Sequence, residues 1–154
     1  GFTTGEPWIA LAPDHGTVNA AAQVGVPGSV FEHYRQLIAL RHDDDALALG
    51  TFRLLAADHP TAWVILRQWR APETEGSGVE QLLLIAQCAR EDLPLVGEGG
   101  LLVTLAAEGL EPGEWSGAEQ VLRAGDPDVQ PGSGHAGLPE VLPGWDSLLL
   151  RRRG

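Results

Sequence analysis

The residues best equipped for chemistry in this sequence are 21 Asp and Glu, five histidines, one cysteine and five tryptophans. Acid–base or nucleophilic work by paired carboxylates needs two acids held a few ångströms apart across the bond to be cleaved, on rigid elements that separate their acidities. The acids here fall mostly in loops: Glu73, Glu75, Glu91, Asp92, Glu111, Glu114, Asp126 and Asp128. In a chain of net charge −11 such loop acids read as solvation. His15, His33, His42, His59 and His135 form no pair at helical spacing and have no cysteine among them, so a zinc site is not expected. Asp14-His15 and Asp58-His59 read as turn chemistry. Asp43-Asp44-Asp45 reads as an exposed helix stop, because adjacent residues do not all face one ion. Cys88 has no intramolecular partner for a disulfide, and its apolar surroundings, Leu82 to Ala89, make it a small buried hydrophobe. Gly97-Glu98-Gly99-Gly100 precedes an apolar run and reads as a hairpin turn, not a phosphate loop. Trp63 and Trp69 read as core. Trp8, Trp115 and Trp145 stay open between packing and stacking on a sugar ring. The result is no catalytic residue, no metal ligand, no cofactor site and no assigned substrate-binding residue.

The elements that would position these side chains fall into two parts. Residues 1–27 are too rich in Gly and Pro for a helix and lack a long alternating run; they read as a loop. Pro27-Gly28 then breaks the chain, Ser29 is a good N-cap, and Glu32 completes a capping box. Val30, Tyr34, Leu37 and Ile38 follow at helical spacing, with Arg41 at the end of the stripe, and the helix should stop near His42. After Gly50 the pattern turns to β. Strands are expected at 51–56, 61–70, 82–88, 99–107, 119–123 and 145–151, joined by turn residues. Trp63, Ile65 and Trp69 should share one face of the second strand. The nearly continuous apolar run at 82–88 suits a strand covered on both sides. The fold expected is mainly β: an antiparallel Greek-key β-sandwich over 51–154, preceded by a loop and one amphipathic helix over 1–50.

Composition narrows the function classes. A surface this acidic repels phosphate backbones and anionic membranes, so neither nucleic acid nor membrane is an expected partner. The only basic cluster, Arg151 to Arg153, reads as a solvated tail. No stretch reaches the roughly 18 apolar residues that span a bilayer, and no signal peptide is visible, so a cytoplasmic setting is expected. Met is absent, so Gly1 is expected to be a processing or truncation boundary.

The stretch Gly1-Phe2-Thr3-Thr4-Gly5-Glu6-Pro7-Trp8-Ile9 resembles a segment of the α-amylase superfamily, in the α-glucosidase and oligo-1,6-glucosidase branch of family-13 glycoside hydrolases. Pro13, Val18-Asn19 and Gln23 continue the likeness, as do Pro27, Ser29, Val30, Phe31 and the run Leu37 to Arg41. Ala46-Leu47, Gly50-Thr51-Phe52, Asp58-His59-Pro60, Leu82 to Ile85, Leu142 to Trp145 and Leu148 to Leu150 extend it. Two places depart from the family pattern: Gln87-Cys88 after the core strand, and Ala12-Pro13-Asp14-His15 in the leading loop. The resemblance implies that residues 1–50 end a (β/α)8 barrel, as the loop after strand eight and the last helix. Residues 51–154 would be the C-terminal β-domain. It also implies that the nucleophilic Asp, the general-acid Glu and the stabilising Asp all precede this segment. The expected function is therefore a structural domain of an α-glucosidase-like hydrolase acting on short α-glucosides, not catalytic alone. Its partner would be the barrel portion of the same protein. Phe2, Thr3 and Thr4 would lie near a substrate rim without being assigned as ligands. Two alternatives remain: a free-standing carbohydrate-binding or interaction module, and a fragment of a transglycosylating or isomerising relative of the trehalose or isomaltulose synthase type.

Overall fold

A computed structural model describes residues 4–72, 78–126, 128–129 and 132–154 of the chain. The leading segment holds one short helix, α1 (Ala20–Gln23), capped by the Asn19 side chain. The expected long helix is present as α2 (Val30–Asp43). Ser29 Oγ accepts the Glu32 N–H at 3.3 Å, which is half of the capping box. The Glu32 carboxylate completes a different contact, accepting the Gly25 N–H at 2.8 Å. Gln23 adds a second stitch by accepting the Phe31 N–H at 3.0 Å, so the loop is tied to the first turn of α2. Asp44 ends α2 and caps the next helix, α3 (Asp45–Ala48), accepting the Leu47 N–H at 2.9 Å.

The remaining elements are β1 (Thr51–Leu55), β2 (Ala62–Trp69), β3 (Glu80–Gln87), β4 (Leu93–Pro94), α4 (Leu101–Ala107), a 3₁₀ turn at Pro112–Trp115, β5 (Glu119–Arg123), β6 (Val141–Leu142) and β7 (Ser147–Arg153). Five strands form one antiparallel sheet in the order β1-β2-β3-β7-β5, and β4 pairs with β6 as a separate ribbon. The layer facing the sheet is this ribbon together with α4 and the 3₁₀ turn. The larger core lies between the layers, built from Val64, Leu66, Leu83, Ile85, Leu148 and Leu150 on the sheet and Leu95, Leu101, Leu105, Trp115 and Leu142 opposite. A smaller cluster sits on the outer face, where Ala46, Leu82, Leu122 and Leu149 meet Leu40, Leu47, Trp69 and Leu84. Leu82 and Leu83 point to opposite faces and are both fully buried, as the continuous apolar run requires.

Four local expectations are corrected. Residues 99–107 are not a strand: Leu101–Ala107 is helical, with Leu101, Leu102 and Leu105 buried and Val103 exposed. That is a spacing of three to four, which wins over alternation. On β2 the buried side is Ala62, Val64 and Leu66, while Trp63 is 65% exposed and Trp69 is partly covered. The inner face is the better covered because the ribbon and α4 lie on it. Cys88 is exposed; β3 stops at Gln87, and Cys88 already turns away, its N–H bonded to the Thr61 carbonyl at 2.8 Å. Arg151 to Arg153 are not a solvated tail: they form the end of β7, and Arg151 is largely buried.

Candidate functional site

Helix α2 is the element that chemistry and packing single out. Its sequence carries an apolar stripe, yet none of its fourteen residues is buried. Val30, Tyr34 and Ile38, at positions i, i+4 and i+8 of one face, are 65%, 63% and 57% exposed. With Phe31 and with Val18 and Ala20 of the leading segment they line an apolar groove of about 510 Å³. Trp8, Ile9 and Leu11 of the same segment are further exposed apolar side chains. Exposed apolar surface that is contiguous in this way marks an interaction site. The adjacent face of α2, with His33, Leu37, Leu40 and Arg41, looks toward the sheet across a second cleft of about 430 Å³.

The end of α2 and the following α3 are tied to the sheet by arginines. The Arg151 guanidinium, in β7, is ion-paired with Asp44, which lies 5% exposed at the α2–α3 junction. It also meets Glu80 at 3.0 Å and Glu119 at 3.5 Å. From β2, Arg67 donates to the Ala46 carbonyl at 3.0 Å and to the Gly50 carbonyl at 2.7 Å. Arg41 donates to the Leu47 carbonyl at 2.7 Å. Gly50 is required at this junction, because a Cβ there would lie 2.3 Å from the Ala46 carbonyl oxygen. Charge-assisted bonds of this kind fix geometry as well as adding stability.

The other singled-out residues separate into local roles. Gly1, Phe2 and Thr3 lie outside the described residues, and Thr4 is exposed. His15 Nδ1 and the Ala12 carbonyl are 2.7 Å apart. His59 Nδ1 accepts the Thr61 and Ala62 N–H groups. Both Asp-His pairs therefore do the turn work expected of them. Among the described acids, Asp44 is buried at the junction with Arg151, contrary to the exposed stop expected of it. Glu80, Glu114 and Glu119 pair with arginines of β7, and Glu108 accepts the Ala56 N–H. Among the described residues no three His, Cys, Asp or Glu gather as a metal site, and no helix is long and apolar enough to cross a membrane. Trp115 is buried in the main core, whereas Trp8 and Trp145 are open to solvent. Arg67 was the residue that sequence reading passed over, its faint signal being a charge set within the apolar pattern of β2; Arg41 and Arg151 were noted without the contacts they make.

Residues 1–50 match the α-amylase catalytic-domain family. Trehalose-6-phosphate hydrolase of Escherichia coli (strain K12) is 36% identical over 94 residues, which is 61% of this chain and 16% of that protein. Oligo-1,6-glucosidase of Bacillus cereus is 33% identical over 92 residues, 60% of this chain and 15% of that protein. Among solved structures, the trehalulose synthase from Pseudomonas mesoacidophila MX-45 superposes with a TM-score of 0.68 at 25% identity, covering 98% of this chain and 23% of that one. The chain thus spans only 15–16% of the length of these two curated relatives.

Proposed function

We propose, from the premise that this chain is part of a family-13 glycoside hydrolase of the α-glucosidase branch, that it is the C-terminal region of that enzyme and acts as a structural cap. In this reading residues 1–50 close the (β/α)8 barrel and residues 51–154 are the non-catalytic β-domain, whose five-stranded sheet is the major layer of a Greek-key sandwich. The observation that carries it is the bare stripe Val30, Tyr34, Ile38 on a helix whose C-terminal end is tied to the sheet through Asp44 and α3. Each such side chain gains about 1.5 to 3 kcal/mol on full burial, so the stripe fits a helix covered on two sides, by the sheet and by a barrel. Catalysis would rest on two carboxylates outside this chain, by a retaining route on short α-glucosides. A cytoplasmic setting belongs to the same proposal.

The test is to assay the chain with and without the upstream barrel. The isolated chain is expected to release no glucose from maltose or isomaltose. Glucose release by the isolated chain, lost on mutating one of its own acids, would overturn the reading. The likeness to a trehalulose synthase supports an isomerising relative as the parent; an isomeric disaccharide instead of glucose among the products of the longer protein would select it. A free-standing sugar-binding module draws support from Trp145, which is 70% exposed at a positive φ of 61°. That alternative expects saturable oligosaccharide binding by calorimetry, weakened by Trp145→Ala, and no heat with millimolar sugar would dismiss it.

A further inference from the structure

The cleft between α2 and the sheet is separate from the groove along Val30, Tyr34 and Ile38, and lies on an adjacent face of the helix that carries His33, Leu37, Leu40 and Arg41. Its walls are apolar: Leu40 and Leu47 on the helical side, and Ile65, Leu82, Leu84 and Leu149 on the sheet. Its ionisable lining is His33, Arg41 and Arg67, with no carboxylate, in a chain of net charge −11. Arg67 and Arg41 donate to the carbonyls of consecutive residues, Ala46 and Leu47. Both guanidinium groups are thereby anchored on neighbouring residues of α3, where both line the cleft. Like Arg53, Arg70 and Arg90, neither is ion-paired with a carboxylate among the described residues.

Volume decides what fits. A helix about 10–12 Å across with its side chains would use the whole cleft of about 430 Å³ in one turn of about 5.4 Å. A second helix is therefore too large. Water is a poor occupant too, since a site it fills needs several polar partners and these walls are mostly leucine. The geometry points to a small anionic amphiphile as the ligand of this cleft: an apolar body against the leucines and one anionic head, a carboxylate or sulfate, on Arg41 and Arg67. Pockets of this size with an apolar lining and a few convergent charges are typical of small-molecule sites. The assignment stands independently of the barrel proposal.

Octanoate, with octan-1-ol as its neutral counterpart, titrated into the chain by calorimetry is the test. Octanoate is expected to saturate one site, and octan-1-ol to bind about tenfold more weakly. Arg41→Glu should weaken octanoate by a similar factor, and Leu84→Trp, which fills the cleft, should abolish binding. Val30→Asp, about two turns away on α2 and outside the cleft lining, should leave it unchanged. Absence of saturation, equal binding of acid and alcohol, or indifference to Arg41→Glu would each overturn the assignment. Arg41 is exposed, so that variant keeps the test sound even if Leu84→Trp fails to fold. Loss of octanoate binding when the upstream portion is joined to the chain would also overturn it, because inserted side chains would then be the native occupant.

Discussion

Replacing Arg151 by Met removes one guanidinium and keeps most of the apolar stem. Asp44, 5% exposed, then becomes a buried carboxylate without its cation, while Glu80 and Glu119, at 25% and 32%, can turn to water. Breaking a buried ion pair by removing one partner costs about 3–5 kcal/mol. Only one of the three carboxylates is deeply buried, so about 3 kcal/mol is expected here. Asp44→Asn keeps an oxygen for the Leu47 N–H, 2.9 Å away in the native chain, and removes only the charge. It should cost about 2 kcal/mol, because Arg151 retains its two glutamates. With both changes no stranded charge remains, and the loss should stay near that of Arg151→Met, a coupling of about 2 kcal/mol. Urea unfolding followed by circular dichroism, with equal slopes across the four proteins, measures each value. Single losses that simply add, to within about 0.5 kcal/mol, would refute the claim that Arg151 and Asp44 act as a pair.

Trp115→Ala should cost about 3–5 kcal/mol in the same urea assay, since the ring is fully enclosed in the main core. Val30→Asp combined with Ile38→Asp should change the stability of this chain by no more than about 1 kcal/mol, because both sites are exposed. Sedimentation should show weaker self-association for that double variant. Trp145→Gly should raise stability by about 0.5–1 kcal/mol, relieving a left-handed conformation at a side chain that packs on little; a measured loss would show that the ring is holding something in place.

The sequence carried the elements with strong local signals. Ser29 and the apolar spacing from Val30 announced α2, and the strands at 51–55, 62–69, 80–87 and 119–123 lie within two residues of expectation at either end. Residues 101–107 misled because seven apolar or small residues in a row satisfy both periods. Gly100 as an N-cap without a side chain gave no helix signal. The strands of the β4–β6 ribbon have only two residues each, too short for any pattern to register. Which side of β2 would be buried depended on where α4 and the ribbon settled, a tertiary choice that alternation cannot express. The same holds for Arg151: an Arg-Arg-Arg run looks solvated until β7 places its first member between Asp44, Glu80 and Glu119. The bare stripe was legible as amphipathic; that the chain's own sheet leaves it uncovered was not.

The strand order has a consequence for how the sheet is built. β5 precedes β7 along the chain but joins the sheet only through it, since β7 lies between β3 and β5. Pairing β3 with β7 brings Glu80 to Arg153, closing a loop that contains the ribbon, α4 and β5. Contacts so distant in sequence form slowly, because loop-closure entropy is lost before any pairing compensates it. The β5–β7 pair is far more local, joining Arg123 to Leu148, so it can form as a second unit beside the hairpins β1–β2 and β2–β3, and the slow step is the docking of β7 on β3.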